Sequence, residues 1–315
     1  MKILFMGTPE FAKVSLESII EAGYDVCAVV TQPDKPTGRK MKLTAPPVKE
    51  YALQSGISVY QPDTLKSDGF YSLLESLAPD IFVVVAYGKI LPKAVLSFPK
   101  YGCINVHASL LPKYRGAAPI NAAIFDGATV TGITTMYMDK GIDTGDMILK
   151  SEISIGADET YGELHDRLAT TGGKLLVETL KLIESTDGKP PRAKQPVGGE
   201  VSYAAKITDE TCLIDWNASA ISIHNRIRGL SPVPGAYTTI DKKKLKIIRS
   251  RIAKLPEDNN VFTCGTVFID RRSLYVKTLD SCIELLELQL EGSKVCKAID
   301  MINGRRIEQG MVMGT

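Results

Sequence analysis

The chain has 315 residues and is short of several things, each of which removes a class of explanation. It has only three histidines and one tryptophan. Its six cysteines (27, 103, 212, 264, 282, 296) are scattered, with no C-x-x-C pair. No metal is expected from so few paired ligands, and lone thiols in apolar runs read as buried and reduced, as in a cytoplasmic protein. No apolar run approaches the roughly 20 residues that span a bilayer, so no membrane partner is expected. The N-terminus turns at Gly7-Thr8-Pro9, too early for a signal peptide, and no small-residue cleavage site follows. Gly7 lacks the second and third glycines of a G-x-G-x-x-G turn, which argues against a nicotinamide or flavin cofactor. There is no internal repeat and no low-complexity tract.

What is present points to a soluble globular protein. Apolar residues make up 44% of the chain, and its length favours two domains over one core. The net charge of +2 hides an asymmetry. Residues 1–188 carry 18 Lys+Arg against 22 Asp+Glu, and residues 189–315 carry 20 against 14. A basic C-terminal half is compatible with a polyanionic partner.

The first half alternates strand and helix patterns. Residues 2–7 read as a strand, 9–22 as a helix stopped by Gly23, and 24–30 as a second strand, a unit whose crossover makes the strands parallel. Residues 31–47 depart from this pattern, and Pro and Gly up to Gly38 argue against regular structure at its start. From Lys35 to Lys49 there are five cations (Lys35, Arg39, Lys40, Lys42, Lys49) and no acid. That stretch is either a solvated loop or a clamp for phosphates. The alternation resumes with a helix at 48–54, a strand at 58–61 and a helix at 69–77. The run Ile81-Phe82-Val83-Val84-Val85 is apolar throughout, the mark of a central strand buried on both faces. A short helix at 93–98, a strand at 102–107, a helix at 117–125, strands at 132–138 and 147–155, and a long amphipathic helix at 160–185 complete an open, mostly parallel α/β sheet. Ligands of such sheets sit beyond the carboxyl ends of the strands, where Tyr87-Gly88, Asn105-His107 and Asp139-Asp143 are expected. Gly188 to Gly199 reads as a Pro/Gly-rich basic linker. Beyond it come a helix at 218–228 and short alternating stretches at 236–241, 244–252, 262–269, 273–278 and 282–290, the pattern of a small β-barrel. Its cations, among them Arg226, Arg228, Lys243, Lys244, Arg249 and Arg251, are either a solvated face or a nucleic-acid surface.

The chemistry gathers around Cys103 to Gly116. Asn105 and His107 are two apart, so on an extended backbone both side chains point the same way. A neighbouring carboxylate stabilises a charged imidazole, so a His107–Asp143 pair would carry an imidazolium. The set then has two donors and a base but no nucleophile, Ser109 being the nearest hydroxyl. Donors without a nucleophile suit a reaction in which the substrate attacks and the enzyme holds a developing oxyanion, as in acyl transfer. The alternative for His107 is a hydrogen-bonded strand-end residue. His165 and His224 lie in helices away from any such set and read as structural.

Asn105-Val106-His107-Ala108-Ser109-Leu110-Leu111-Pro112-Lys113-Tyr114-Arg115-Gly116 and Met138-Asp139-Lys140-Gly141-Ile142-Asp143-Thr144-Gly145-Asp146 resemble the signature of the folate-dependent formyltransferases. Within that family the chain is similar along nearly its whole length to members that formylate methionyl-tRNA. Pro36-Thr37-Gly38-Arg39-Lys40 resembles their inserted basic loop, and Asn225-Arg226-Ile227-Arg228-Gly229-Leu230-Ser231-Pro232 and Ala298-Ile299-Asp300-Met301-Ile302-Asn303 resemble their C-terminal domain. The resemblance implies a Rossmann-like formyltransferase fold at 1–188 with an inserted loop at 35–49, a linker at 189–206, and an OB-like β-barrel that binds tRNA at 207–315. It implies 10-formyltetrahydrofolate as formyl donor, initiator methionyl-tRNA as acceptor, a monomer, and catalysis by Asn105, His107 and Asp143. Tyr87, Gly88, Ile90, Leu91, Ser109, Leu110, Leu111, Pro112, Asp139 and Gly141 would border the folate. Lys35, Arg39, Lys40, Lys42, Lys206, Arg226, Arg228, Lys243 and Lys244 would meet the tRNA. An amino-sugar acceptor or water, and a non-catalytic RNA-binding protein, are the competing expectations.

Overall fold

A computed structural model describes residues 1–38, 41–254 and 262–314. Strand β1 (Lys2–Gly7) carries Ile3, Leu4, Phe5 and Met6 with no exposure at all. A strand so apolar needs cover on both faces. Helix α1 (Glu10–Glu21) supplies part of it through Phe11, Ala12, Leu16 and Ile19. At the joint, a Cβ on Gly7 would lie 2.7 Å from the Ala12 Cβ and 2.9 Å from the Val85 carbonyl oxygen. Gly7 therefore serves the close approach of strand and helix. Strand β2 (Asp25–Val30) returns parallel to β1.

The next segment corrects the sequence reading. Here β3 (Lys35–Thr37) pairs antiparallel with β4 (Lys42–Thr44) as a hairpin, with Pro36 opposite Leu43. A two-stranded ribbon has free edges, so the missing N–H of a proline costs it little. Gly38 (φ 69°) and Met41 (φ 47°) stand at the turn, and Arg39 and Lys40 lie outside the described residues.

Helix α2 (Pro47–Gln54), strand β5 (Val59–Tyr60), helix α3 (Asp68–Leu77), strand β6 (Ile81–Val85), the single-turn α4 (Lys93–Leu96) and strand β7 (Cys103–His107) follow. Then come β8 (Arg115–Gly116), α5 (Pro119–Phe125), β9 (Val130–Tyr137), β10 (Met147–Ser154) and the long helix α6 (Tyr161–Ser185). The main sheet has the order β10-β9-β7-β6-β1-β2-β5. The pairs β5–β2, β2–β1, β1–β6 and β6–β7 are parallel, and β9 is antiparallel to β7. After β1 the chain builds outward to one side through β2 and β5, then crosses back to β6 and β7. The switch point lies between β1 and β6, where ligand crevices of such sheets form.

After β11 (Tyr203–Ala204), α7 (Asp209–Cys212) and α8 (Ala220–Leu230), the strands are β12 (Ala236–Ile240), β13 (Lys243–Ala253), β14 (Val267–Asp270), β15 (Ser273–Lys277), β16 (Cys282–Leu290) and β17 (Cys296–Lys297), closed by α9 (Ala298–Asn303). They form a separate antiparallel sheet in the order β12-β13-β16-β15-β14, with β17 on β16. Its core gathers Trp216, Ile223, Ile227, Leu245, Ile247 and Leu285. The Trp216 indole N–H is satisfied by the Thr238 hydroxyl at 3.0 Å, as a buried indole requires.

The chain divides into two compact units. One holds residues 1–116, 131–153 and 165–203, the other 117–130, 154–164 and 204–315. Residues 189–203, read from sequence as linker, thus fold with the first unit.

Candidate active site

Asn105 and His107 project from the same face of β7, as their spacing predicts. The strand is buried between β6 and β9, which fixes its backbone, and His107 is 5% exposed. The Asp143 carboxylate reaches both residues. Its Oδ1 accepts from Asn105 Nδ2 at 3.4 Å, and its Oδ2 lies 3.5 Å from His107 Nδ1. A third donor, the Gly116 backbone N–H, reaches Oδ2 at 2.8 Å. The other ring nitrogen of His107 lies 3.0 Å from the Tyr114 carbonyl oxygen. Both imidazole nitrogens thus face oxygen acceptors.

The route by which Asp143 arrives differs from the sequence expectation. Because β9 is antiparallel, Tyr137 pairs with Ile104, and the Met138 N–H donates to the Cys103 carbonyl. The chain therefore leaves β9 beside the amino end of β7, not its carboxyl end. The loop at 138–146 must fold back along β7 to bring Asp143 to Asn105 and His107. It is tied internally by Asp139, whose Oδ1 accepts from the Gly141 N–H at 2.9 Å and the Thr144 hydroxyl at 2.6 Å. Asp143 has φ 53°, a left-handed conformation that aspartate tolerates better than most residues. At Gly145 a Cβ would fall 1.8 Å from the Tyr137 carbonyl oxygen, so this position admits only glycine.

Beside the triad lies a cleft of about 600 Å³, part of it open to solvent. Of the residues expected to border a folate, Ile90, Leu91, Asp139 and Gly141 line it, together with Lys89, Met136, Met138 and Asp143. Ile90 and Ile142 are 85% and 63% exposed and share the cleft lining with the charged side chains of Lys89, Asp139 and Lys140. The remaining expected residues are not among the lining. Tyr87 is 2% exposed and sits in the core with Leu4, Phe82 and Leu91. Its hydroxyl has no hydrogen-bond partner among the described residues, and burial pushes its phenol up to about 12. Its carbonyl accepts from the Thr8 hydroxyl and the Gln32 amide, both at 3.1 Å, which fixes the loop that carries Gly88 and Ile90. Ser109 is wholly buried, its hydroxyl donating to the Lys113 carbonyl at 2.6 Å, so it is no nucleophile. Leu111 is buried against Met136 and Met147, while Leu110 and Pro112 are half-buried.

Several site groups carried no sequence signal of their own. The Gly116 N–H and Tyr114 carbonyl are backbone atoms inside the recognised loop. Gln195 lies in the supposed linker. Its Nε2 donates to the carbonyls of Asp143 and Gly145, both at 2.8 Å, and its Oε1 accepts from Arg115 Nε (3.0 Å) and Nη2 (2.7 Å). The same stretch pairs Ala193 with Met147, and the Ser202 hydroxyl accepts from the Tyr114 N–H at 2.9 Å. Residues 193–202 thus form a strap across the site loops.

The cations expected to meet nucleic acid divide into available and committed groups. Lys35, Lys42, Lys206 and Lys243 are exposed. Lys244 is half-buried, its ammonium 3.6 Å from the Tyr237 ring centroid. Arg226 donates to the Thr211 carbonyl at 2.7 Å and lies over Phe125. Arg228 corrects the sequence reading. It is 6% exposed and donates to Asn225 Oδ1 and to the carbonyls of Gly156 and Glu159, because its position on α8 faces the interior of its unit. Arg249 and Arg251 are paired with Glu163 and Glu284. Lys49 is also committed: it bonds both Asp34 oxygens at 2.8 Å and Gln61 at 2.8 Å, clipping the base of the hairpin. That pairing holds the Asp34 carboxyl below its usual range. Among the described residues no cluster of His, Cys, Asp or Glu could hold a metal ion, and no helix is long and apolar enough to cross a membrane.

Comparison with known proteins places this geometry. The formyl transferase model matches residues 1–180, and the model for the formyl transferase C-terminal domain matches 206–306. Curated relatives from Ruminiclostridium cellulolyticum and Caldanaerobacter subterraneus, both named methionyl-tRNA formyltransferase, are 48% and 49% identical. The alignments cover 100% and 99% of this chain and all of each relative. An N-formyltransferase structure from Helicobacter canadensis, in complex with folinic acid and dTDP-3-aminofucose, superposes with a TM-score of 0.65 at 20% identity, covering 90% of this chain and 98% of its own. That likeness reports the fold alone. From the paired domain matches and the full-length identity, this chain belongs to the formyl transferase family, alongside the relatives named methionyl-tRNA formyltransferase.

Proposed function

We propose that the chain transfers the formyl group of 10-formyltetrahydrofolate to the α-amine of initiator methionyl-tRNA, giving N-formylmethionyl-tRNA. The relatives' name and their full-length identity support the acceptor. One observation carries the chemistry: Asn105, His107 and the Gly116 N–H converge on the two carboxyl oxygens of Asp143. An amide whose second N–H stays clear of Asp143, set beside an imidazole and a carboxyl group, suits a tetrahedral oxyanion formed next to a base. The amine attacks the formyl carbon, the Asn105 amide N–H not given to Asp143 and the His107 Nε2, on turning from the Tyr114 carbonyl, hold the oxyanion, and Asp143 takes the proton the amine gives up. Collapse expels the folate nitrogen, which takes up the proton that Asp143 received and leaves as a neutral amine. The donor's ring would occupy the cleft lined by Ile90, Leu91, Met138 and Asp139. The exposed cations Lys35, Lys42, Lys206 and Lys243, with Arg39 and Lys40 of the same basic sequence stretch, would meet the acceptor's phosphates.

An amino-sugar nucleotide is the rival acceptor, since one catalytic set can serve both. The basic hairpin favours tRNA, because a small acceptor has no need of it. Labelled donor offered together with charged initiator tRNA, charged elongator tRNA and a dTDP-amino sugar separates them. Label is expected on initiator methionyl-tRNA. Label on the sugar alone would overturn this acceptor.

A further inference from the structure

We infer that Gln195 is a positioning residue for this transfer, acting through Asp143 rather than on the substrate; the inference rests on the function proposed above. Its side-chain amide is fully used. Two N–H bonds go to the carbonyls of Asp143 and Gly145, and the oxygen takes two N–H bonds from the Arg115 guanidinium. This fixes the amide's sense, because a flipped amide would turn its N–H groups toward Arg115. Arg115 is only 6% exposed, so its guanidinium is itself held. Arg115 directly precedes Gly116, whose N–H grips the Asp143 carboxylate at 2.8 Å. The links close a ring: Arg115 to Gln195, Gln195 to the Asp143 backbone, and the Asp143 side chain back to Gly116. Asp143 is thus held at both its carbonyl and its carboxylate. A residue at φ 53° in a loop that must fold back along β7 needs such support to keep its carboxylate beside His107. The Ala193–Met147 bridge and Arg192, 3.5 Å from the Asp146 carboxylate, anchor the strap at the carboxyl end of this loop.

The test is steady-state kinetics of formyl transfer in full-length variants whose folding is checked by thermal melting. Gln195→Ala removes the whole link. Gln195→Glu keeps the oxygen used by Arg115 but removes both donors, and it carries the test should the alanine variant fail to fold. In each, kcat is expected to fall about 10- to 100-fold, the scale of a small misplacement of a reacting group, while KM for donor and tRNA stays within about threefold. Combined with Asp143→Asn, Gln195→Ala is expected to cost no further factor, because nothing is left to position. Val197→Ala, fully exposed on the same strap, should behave as wild type. Wild-type kcat in a folded Gln195→Ala variant, a loss confined to KM for tRNA, or independent losses in the double variant would each overturn the inference. Absence of transfer by the wild-type protein would overturn the function itself instead.

Discussion

At the scale of single residues, the pairing of Asn105 with His107 was readable because it depends on backbone geometry. Extended chain puts Asn105 and His107 on one side, and a long apolar run keeps that strand rigid. His107→Ala and Asp143→Asn are each expected to lower kcat by about 100- to 1000-fold, the usual cost of one oxyanion donor or its support. Single-turnover formyl transfer with charged initiator tRNA measures this, and a near-wild-type rate in either variant would remove the proposed mechanism. Gln195 was not readable. It sits between prolines in a stretch without periodicity, and a glutamine there looks like any solvated linker residue. Arg228 misled in the opposite sense. In a basic segment an arginine reads as surface charge, but burial at this position directs its guanidinium to three carbonyl and amide oxygens and lowers its pKa by desolvation. Composition counts charges; it cannot say which already have partners.

At the scale of elements, most strands and helices announced by apolar periodicity came out within a few residues of expectation, whereas the stretch expected at 262–269 is strand only over Val267–Asp270. The misses occurred where pairing decides. Strand β9 looks like any other β-pattern, and only its antiparallel register with β7 shows that the Asp143 loop starts from the far end. The β3–β4 hairpin escaped because Pro36 and Gly38 suggested irregular chain, although an isolated two-stranded ribbon accommodates both. The Lys49–Asp34–Gln61 clip then holds this hairpin at its base. Neutralising Arg39, Lys40 and Lys42 together is expected to raise KM for tRNA and flatten its salt dependence, by a log–log slope of about 0.7 to 0.9 for each phosphate left without its cation. KM for the folate donor should stay unchanged. Equal losses for both substrates would make the hairpin a structural element and remove it from tRNA binding.

At the scale of the whole molecule, the parallel sheet and the second, antiparallel domain were legible from the change in pattern after the long helix. Stability against acid was not, because it depends on tertiary partners. Glu163 accepts from the Thr160 backbone N–H at the start of α6 and pairs with Arg249, which holds its carboxyl down to about 2. A depressed carboxylate stabilises the fold above its unfolded value of about 4.5, and the benefit is lost as pH falls toward 2. Burial lowers the pKa of His224, so this residue also removes stability as pH falls, starting below its ordinary value of about 6.5. Melting temperature should therefore decline in two stages on acidification. Glu163→Gln is expected to flatten the lower stage only, and an unchanged acid limb in that variant would mean other groups set it. The strap has a consequence for how such chains can be recombined. The Pro/Gly stretch after Gly188 looks like a natural seam between modules, yet a chimera spliced there would give the first unit a foreign residue in place of Gln195. A junction placed after Tyr203 keeps Asn105, His107, Asp143 and Gln195 on one continuous inheritance, and leaves the antiparallel unit from Ala204 onward free to be exchanged.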